Sequence, residues 1–397
     1  MTKLHKNICE AIVNALENIF IHHKYTDKVI EHTLKSDSRW GSRDRKFIAE
    51  NIYEIVRYLR YIQNIGNIHT HDYWAYLGTW LAMQDTPLPD WQEFHNLDIA
   101  QILHNKQYGL YPDAVMQSFP DWLFDKCSTE IGSPWLDEVI HLNTPAKLVI
   151  RTNTLKTNIY ELQSKLLNDY GFATTQVPHV EHALVFDQKV NIFQTALFKE
   201  GYFEIQDISS QLVASYLSPN PGMRVVDACA GAGGKSLHIA ALMQNKGQII
   251  SMDVSQWKLD ELKKRARRAG VYNIETRLID GYKNIKRLAG MADRLLLDVP
   301  CSGLGVLRRN PDAKWKLTDK SINDTIALQQ EILDKYHTML KPGALMVYAT
   351  CSILPSENEH QIKMFLENNS NFELVKQQTI WPSQGYDGFF MALVKKK

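Results

Sequence analysis

Two cysteines stand where a thiol can act as a nucleophile. Cys301 follows the apolar segment Arg294–Asp298 in the sequence Asp-Val-Pro-Cys-Ser-Gly, and Cys351 follows Ala344–Ala349 in the sequence Ala-Thr-Cys-Ser. A single cysteine at the end of a predicted strand is more often a packing residue. Two thiols at equivalent strand ends are expected to face one pocket if the two strands are neighbours. The pair therefore favours covalent catalysis by cysteine.

Cysteine chemistry of this kind suits methylation of a pyrimidine ring at carbon 5. Carbon 5 is a poor nucleophile until a thiolate adds to carbon 6, and free cysteine, with a pKa of about 8.5, needs activation for that step. Asp298 is the nearest candidate for the acid that neutralises charge at N3 of the base, and a general base must remove the proton from carbon 5. Methylation of an exocyclic amine typically uses an Asn/Asp-Pro-Pro-aromatic turn, which the sequence Asp298–Cys301 lacks.

A glycine-rich turn after the apolar segment Arg224–Asp227 is the candidate cofactor site. Its glycines let the backbone approach a ligand closely and adopt positive φ. Ligands of open parallel sheets bind beyond the carboxyl ends of the strands, which is where this turn is predicted to lie. Asp253 ends the next predicted strand, and its carboxylate suits the ribose hydroxyls of an adenosine cofactor. The turn residues are Cys229, Ala230, Gly231, Ala232, Gly233, Gly234 and Lys235.

Three kinds of ligand compete for this turn. A P-loop nucleotide hydrolase needs glycine at position 229, where this chain has Cys229, although Gly234-Lys235-Ser236 fits the end of that motif. A dinucleotide site needs a third glycine where Ser236 stands. A methyl donor carries no phosphates and tolerates a looser glycine pattern. The comparison favours S-adenosylmethionine and keeps a P-loop hydrolase as the alternative enzyme class.

Acidic residues at the ends of the predicted strands support the same cofactor. Four such strands end in aspartate, at Asp227, Asp253, Asp280 and Asp298. A single aspartate at this position is often a helix N-cap. Four in succession favour a ligand site, in which Asp280 could accept a hydrogen bond from the adenine amino group. We therefore add Asp253, Asp280 and Asp298 to the turn as expected cofactor-binding residues.

The elements that position these residues are predicted from the spacing of apolar side chains. Residues 8–34 and 47–65 show helical spacing, and prolines punctuate the remainder of an expected helical domain at 1–140. A small α+β module is predicted at 145–215, with a helix at 159–170. Its strand candidates are 147–153, 183–186 and 201–206.

The pattern from residue 216 onward is strand, turn and helix, repeated. Alternation of this kind predicts a mostly parallel, doubly wound sheet with helices on both faces. The expected fold class is α/β: a Rossmann-like class I methyltransferase sheet at 216–397, preceded by the small α+β module and the helical domain. The strand candidates are 224–227, 248–253, 274–280, 294–298 and 344–349.

Composition excludes several classes of protein. The hydrophobic fraction of 44% and the net charge of +1 are those of an ordinary globular chain, and no run approaches the roughly 18 apolar residues of a membrane span. The polar start, Met1–Asn7, leads us to expect a cytoplasmic protein. Five cysteines without paired spacing argue against a disulfide framework and a metal site. A basic run, Arg308–Arg309 with Lys314 and Lys316, is a candidate nucleic-acid contact.

The chain resembles the RsmB/NOL1/NOP2/Sun family of RNA 5-methylcytosine methyltransferases. The paired Pro-Cys and Thr-Cys motifs are highly specific, and the matching stretches follow the family's order over about 190 residues. These stretches are Glu204–Gln211, Asp227–Lys235, Asp298–Gly303 with Arg308–Asp312, Tyr348–Ser352 with Pro355–Glu359, and Asp387–Phe390. The family's turn usually reads Ala-Pro-Gly-Gly-Lys, whereas this chain lacks the proline at Ala232. We expect a looser turn that loses no functional group.

The resemblance implies a division of labour between the thiols. Cys351 would attack carbon 6, Cys301 would help the product leave, and the cofactor contacts would be the turn and the three aspartates. It also implies that the module at 145–215 is RNA-recognition-like. The helical start resembles a NusB-like RNA-binding domain, which favours ribosomal RNA over transfer RNA as the partner, with no obligate protein partner evident. A non-catalytic RNA assembly factor is the other alternative, which the intact cysteine pair disfavours.

Overall fold

The chain folds as two compact units, each built from two stretches of sequence. The structure, a computed structural model, describes residues 4–188 and 190–397, so Met1–Lys3 of the polar start lie outside the described residues. The helical unit comprises residues up to Thr144 together with Leu307–Asp319. The sheet unit comprises Pro145–Val306 and Lys320–Lys397.

The helices account for most of the first unit and cover the sheets of the second. The first group is α1 Lys6–Phe20, α2 Thr26–Ser36, α3 Ser42–Arg57, α4 Leu59–Ile65, α5 Tyr73–Met83, α6 Ile99–Tyr108, α7 Asp113–Met116, α8 Asp121–Ile131 and α9 Trp135–Leu142. The second group is α10 Ile159–Tyr170, α11 Ala196–Lys199, α12 Ile208–Leu217, α13 Gly234–Leu242, α14 Gln256–Ala269, α15 Tyr282–Lys286, α17 Asp319–Tyr336 and α18 Glu359–Asn368. Helix α16, Ala313–Lys316, belongs to the helical unit.

Helix α10 shows why the predicted bounds hold. Its N-cap, Asn158, accepts hydrogen bonds from the backbone N–H groups of Tyr160 and Glu161. At the other end Gly171 adopts the left-handed conformation that closes many helices. Both signals are local, and the helix has the bounds predicted from the sequence.

The small antiparallel sheet forms the first part of the sheet unit. Its strands are β1 Val149–Thr152, β2 Thr174–Val177, β3 Val180–Phe186 and β4 Phe203–Ile205, in the order β2-β3-β1-β4. The predicted strands correspond to β1, β3 and β4. Strand β2 was missed because its four side chains are partly or fully exposed and give no apolar signal.

The large sheet has seven strands in the order β10-β11-β9-β8-β5-β6-β7. Strands β5 to β9 pair in parallel, as the strand-helix alternation predicted, whereas β10 and β11 are antiparallel. The bounds are β5 Arg224–Asp227, β6 Gln248–Asp253, β7 Ile274–Leu278, β8 Ala292–Asp298, β9 Leu340–Thr350, β10 Phe372–Ile380 and β11 Phe389–Lys396.

One predicted strand end was wrong. Strand β7 ends at Leu278, so Asp280 lies two residues beyond it in an exposed connection rather than at its last position. The other three predicted aspartates do end their strands, since β5 ends at Asp227, β6 at Asp253 and β8 at Asp298.

The segment Leu307–Asp319 packs into the helical unit through the C-terminal end of α3. The carbonyl oxygens of Val56 and Arg57 would lack partners at this helix end. Trp315 Nε1 donates to Val56 at 2.7 Å, and Lys314 Nζ donates to Arg57 at 2.8 Å. Arg57 in turn donates to the carbonyl oxygen of Arg308 at 3.1 Å. The segment thus caps a helix that lies some 250 residues earlier in the chain.

This packing corrects the prediction of a nucleic-acid contact for two residues of the basic run, Arg308 and Lys314. Lys314 is only 1% exposed and Arg308 only 5%. The ammonium group of Lys314 lies 4.6 Å from the ring centre of Phe119, and burial lowers its pKa well below the usual value. At these two positions the basic residues are structural cations inside the helical unit.

Candidate active site

The two predicted thiols lie in contact. The Sγ atoms of Cys301 and Cys351 are 3.3 Å apart, and both side chains are partly exposed. Cys9 and Cys127 are buried in the helical unit, and Cys229 lies in the glycine turn. Cys301 and Cys351 therefore form a pair within hydrogen-bonding distance.

Sheet topology explains how residues so distant in sequence meet. Strands β8 and β9 are parallel neighbours, with Asp298 opposite Ala349, so both chains leave the sheet at the same edge. The loop after β8 then returns to the loop after β9, where the N–H of Gly305 donates to the carbonyl oxygen of Cys351 at 2.9 Å. A side chain at Gly305 would meet the carbonyl oxygen of Gly388 at 2.0 Å, so this close approach requires glycine.

A buried carboxylate joins the two cysteine loops. Glu357 is fully buried, and its Oε1 atom accepts from the N–H of Ser302 at 2.7 Å. Its Oε2 atom accepts from the hydroxyl groups of Ser302, at 2.5 Å, and of Ser352. Since Ser302 follows Cys301 and Ser352 follows Cys351, one side chain positions the residue next to each thiol. The family stretch Pro355–Glu359 contained this residue, but the sequence alone assigned it no role.

Asn358 strengthens the second loop. Its Oδ1 atom accepts from the hydroxyl of Thr350 at 2.5 Å, and its Nδ2 atom donates to the carbonyl oxygen of Ser352 at 3.0 Å. Thr350 and Ser352 flank Cys351. The side chains of Asn358, Thr350 and Ser352 are fully buried. The backbone on both sides of Cys351 is therefore held by hydrogen bonds that solvent does not reach.

The electrostatic environment of Cys301 disfavours its ionised form. The hydrogen bond to Cys351, burial, and the negative charges of Cys351 and Glu357 raise the pKa of Cys301 well above its usual value. Two thiols at this separation cannot both ionise readily, because the second charge would repel the first. The protonated form of Cys301 is therefore favoured.

A lysine-aspartate pair lies beside the thiols. Lys235 Nζ donates to Asp298 Oδ2 at 2.6 Å, and the side chains are 12% and 27% exposed. Burial lowers the pKa of Lys235, but the charge and hydrogen bond of Asp298, with a smaller contribution from Cys351, raise it above the usual value. The ammonium group also lies 5.0 Å from the ring centre of Phe389. Lys235 is therefore a fixed cation between the glycine turn and the cysteines.

The glycine turn connects β5 to α13 at the same edge of the sheet. The N–H of Gly231 donates to Asp253 Oδ2 at 2.9 Å, and the other oxygen of this carboxylate accepts from Ser255. Gly231 has φ of +54° and Gly233 has φ of +86°, which favour glycine at both positions. A side chain at Gly231 would point into open space, so the turn leaves room above its backbone.

Asp227 lies beneath this turn and is buried. Its Oδ2 atom accepts from the hydroxyl of Ser236 at 2.6 Å, whereas its Oδ1 atom has no hydrogen-bond partner. Burial, opposed by the Ser236 hydrogen bond, raises the pKa of Asp227 to about 7. The carboxyl group therefore carries a proton over much of the mildly acidic range.

The remaining predicted residues fall around the turn. Cys229 is partly exposed, and burial together with the nearby aspartates raises the pKa of its thiol well above the usual value. Asp280 is exposed beyond β7. Among residues 4–188 and 190–397, no three histidine, cysteine or acidic side chains are arranged to hold a metal ion. None of the helices formed by these residues has the length and apolar character of a membrane span.

Two family models match stretches of this chain. The family model for 16S rRNA methyltransferase RsmB/F matches residues 214–395, and that for the RsmF/B-like ferredoxin-like domain matches residues 119–193. The probable ribosomal RNA small subunit methyltransferase B of Synechocystis sp. is 36% identical over 322 residues, which cover 76% of this chain and 70% of that protein.

The chain belongs to the RsmB/F family of RNA methyltransferases. Ribosomal RNA small subunit methyltransferase B of Vibrio cholerae is 33% identical over 295 residues, covering 72% of this chain and 67% of that protein. The crystal structure of PH0851 superposes with a TM-score of 0.84 and 24% identity over all of both chains, which shows the fold alone.

Membership in the RsmB/F family confirms the resemblance that the paired cysteine motifs predicted. It also confirms the predicted enzyme class, an S-adenosylmethionine-dependent RNA 5-methylcytosine methyltransferase, and the predicted α/β fold. The roles of the individual side chains remain predictions, because family membership does not assign them.

Proposed function

We propose that this chain methylates carbon 5 of a cytosine in ribosomal RNA, with S-adenosylmethionine as donor and Cys351 as covalent nucleophile. The observation that carries the proposal is the pair of sulfur atoms, 3.3 Å apart, beside the Lys235–Asp298 ion pair. The names of the RsmB/F relatives refer to ribosomal RNA, which favours that substrate over transfer RNA.

The residues around the glycine turn fit the methyl donor. Gly231 leaves open space above the backbone, and Asp253 presents a carboxylate whose remaining lone pairs suit ribose hydroxyls. We assign the donor to Cys229–Lys235 with Asp253 and Asp298, and the adenine amino group to Asp280. When bound, S-adenosylmethionine supplies a methyl group activated by a sulfonium.

Attack by Cys351 begins the reaction. Its thiolate forms a bond to carbon 6, and the electrons of the ring double bond form the new bond from carbon 5 to the methyl carbon. The electrons of the donor's sulfur–methyl bond remain on that sulfur. Charge that develops at N3 of the base as the thiolate adds is stabilised by the Lys235–Asp298 pair, which can lend a proton to that atom and take it back when carbon 5 accepts the methyl group.

Release of the product involves Cys301. Loss of the proton from carbon 5 restores the double bond and expels Cys351 as a thiolate. The largest cause that keeps Cys301 protonated is its contact with Cys351. Once Cys351 is a thioether it carries no charge, so the pKa of Cys301 falls during the covalent stage. Cys301 then ionises more readily, so its thiolate, the form that can accept a proton, is available at the stage where a proton must be removed.

The domain organisation supplies the RNA contacts. We propose the predicted division into a NusB-like domain at 1–140, an RNA-recognition-like module at 145–215 and a methyltransferase domain at 216–397. The four-stranded antiparallel sheet and the match to a ferredoxin-like domain support the RNA-binding role of the second.

Bisulfite sequencing of ribosomal and transfer RNA tests the substrate. In ribosomal RNA from cells with this protein, a cytosine should resist bisulfite conversion. The same cytosine should be converted in RNA from cells without the protein. Complementation with Cys351→Ala, at equal protein level, is the matched control and should not restore protection. Loss of protection in transfer RNA instead would move the activity to that substrate, and no change in either RNA would refute the proposal.

A further inference from the structure

Two arginines hold the backbone of the glycine turn. Arg265, on α14, donates from Nη1 to the carbonyl oxygen of Ala232 at 2.9 Å. Arg151, on β1, donates from Nη1 to the carbonyl oxygen of Gly234 at 2.8 Å. These two carbonyl groups flank Gly233, which has a positive φ. Charged donors therefore fix both sides of the most flexible part of the cofactor turn.

Both arginines are tied to the small antiparallel sheet. Arg151 lies opposite Glu204 in the pairing of β1 with β4. Glu204 is almost fully buried, and its carboxylate accepts from Arg265 at 2.9 Å and from Arg268 at 2.5 Å. Arg151 also donates to the side-chain oxygen of Gln206 on the same side of the sheet. The small sheet thus provides one arginine directly and orients the other through Glu204.

The backbone of α14 is joined to the small sheet as well. Asn153 Nδ2 donates to the carbonyl oxygens of Ala269 and Gly201, each at 2.8 Å. Lys156 Nζ donates to the carbonyl oxygen of Arg268 at 2.8 Å. A side chain at Gly201 would meet that same carbonyl oxygen at 2.2 Å. The C-terminal end of α14 therefore has little freedom to move relative to β1 and β4.

The composition of the turn explains why such support matters. It contains three glycines and Ala232, at the position where the family usually has proline. Glycines lose the most backbone entropy on ordering, and the missing proline removes a constraint on φ. Hydrogen bonds from buried or half-buried guanidinium groups are among the stronger ones in proteins. They offset the flexibility that this sequence introduces.

We propose that Arg151 and Arg265, held by Glu204, are positioning residues that couple the small sheet to the cofactor turn. The inference rests on the proposed function, in which the turn binds S-adenosylmethionine and the small sheet binds RNA. If RNA binding orders the sheet, the arginines pass that order to the turn. By linkage, RNA should raise the affinity for the cofactor, and the cofactor should raise the affinity for RNA by the same factor.

Calorimetry with S-adenosylhomocysteine on the full-length protein tests whether Arg265 positions the cofactor turn. Arg265→Met should weaken binding roughly tenfold to a hundredfold, the cost of a lost charged hydrogen bond. The matched control is Arg267→Met, an exposed position on the same helix, which should change the affinity less than about twofold. In steady state Arg265→Met should raise KM for S-adenosylmethionine while kcat at saturation stays near the original value. A general folding defect would lower kcat instead.

Arg265→Lys keeps the experiment decisive if Arg265→Met does not fold. Lysine keeps the charge but cannot reach Ala232 and Glu204 together in a fork, so an intermediate affinity is expected. Equal affinity for the original protein, Arg265→Met and Arg265→Lys would overturn the proposed positioning role.

The effect of RNA on the affinity for S-adenosylhomocysteine tests the proposed coupling between the small sheet and the cofactor turn. A saturating 16S ribosomal RNA transcript should tighten S-adenosylhomocysteine binding about 5-fold or more in the original protein. In Glu204→Gln that factor should approach one. An original protein that binds both ligands without any linkage would overturn the coupling alone. If instead it fails to bind S-adenosylhomocysteine at all, the proposed function itself is refuted, so the two failures are distinguishable.

Discussion

The cysteine loops and the glycine turn lie at the same edge of one sheet, but they are held in different ways. The cysteine loops are fixed from within the methyltransferase fold, by Glu357, which follows the second loop by only a few residues. The glycine turn is held by arginines that depend on a separate antiparallel sheet. The thiol pair is therefore expected to be insensitive to the small sheet, whereas cofactor binding should respond to it.

Removal of the nucleophile should have the largest effect. Cys351→Ser is expected to reduce methyl transfer by about 10⁴-fold or more, because Cys351 is the proposed nucleophile and a serine hydroxyl is a much weaker one. Its affinity for S-adenosylhomocysteine should stay within about twofold, since the glycine turn is held independently. Radiolabelled methyl transfer and calorimetry measure the two quantities. A large loss of cofactor affinity in Cys351→Ser would show that the cysteine loops and the glycine turn are not held independently.

Glu357→Gln tests the positioning of the cysteine loops separately from that of the glycine turn. The amide can accept fewer hydrogen bonds than the carboxylate, so the loops should shift and kcat should fall on the order of 100-fold. KM for S-adenosylmethionine should be nearly unchanged. Glu367→Gln, an exposed position on α18, is the matched control and should leave both constants near their original values. Equal kcat in the two variants would show that Glu357 does not position the thiols.

Asp227, which lies beneath the glycine turn, allows a pH-dependent test of that region. Its pKa is about 7 in the folded protein and near 3.9 in the unfolded chain. Between these values the folded state keeps a proton that the unfolded chain has released, so stability falls as pH rises through that window. Asp227→Asn removes this contribution.

The stability gained by Asp227→Asn should grow from pH 5 to pH 8, by on the order of 2 kcal/mol. Urea unfolding at several pH values measures the difference. Asp169→Asn, an exposed position on α10, should show no such trend. A gain that is independent of pH would mean that Asp227 is ionised throughout.

Trp315→Phe should have the smallest effect. It removes the hydrogen bond from Nε1 to the carbonyl oxygen of Val56 and should cost about 1 kcal/mol of stability. The methyl-transfer rate should change less than about twofold, because Glu357 already fixes the loop that carries Cys301. Trp257→Phe, at an exposed position, is the control for stability. A rate loss comparable to that of Glu357→Gln would show that the helical unit also positions the thiol.

The sequence predicted what depends on local signals. Helix α10 was placed correctly because Asn158 and Gly171 mark its ends. The parallel strands β5, β6, β8 and β9 were placed because they contain runs of apolar residues. Strand β10 was missed because seven of its nine side chains are exposed or partly exposed, so it lacks an apolar pattern.

What the sequence could not predict depends on contacts between distant residues. Nothing near Trp315 indicates that its indole caps α3, because that helix is about 260 residues away. Glu357 lay in a recognised motif, but its role requires knowing that both serine hydroxyls converge on one carboxylate. Likewise, the contact of Arg151 with Gly234 arises only when the small sheet packs on the large one, and that of Arg265 with Ala232 only when α14 packs beside the turn.

Trapping of a covalent RNA complex tests the central claim most directly. Cys301→Ala, incubated with S-adenosylmethionine and ribosomal RNA, should accumulate an RNA–protein adduct that survives denaturing electrophoresis. Cys351→Ala and the double variant should form none. The opposite pattern, with an adduct in Cys351→Ala and none in Cys301→Ala, would assign the attack to Cys301 and contradict the proposed mechanism.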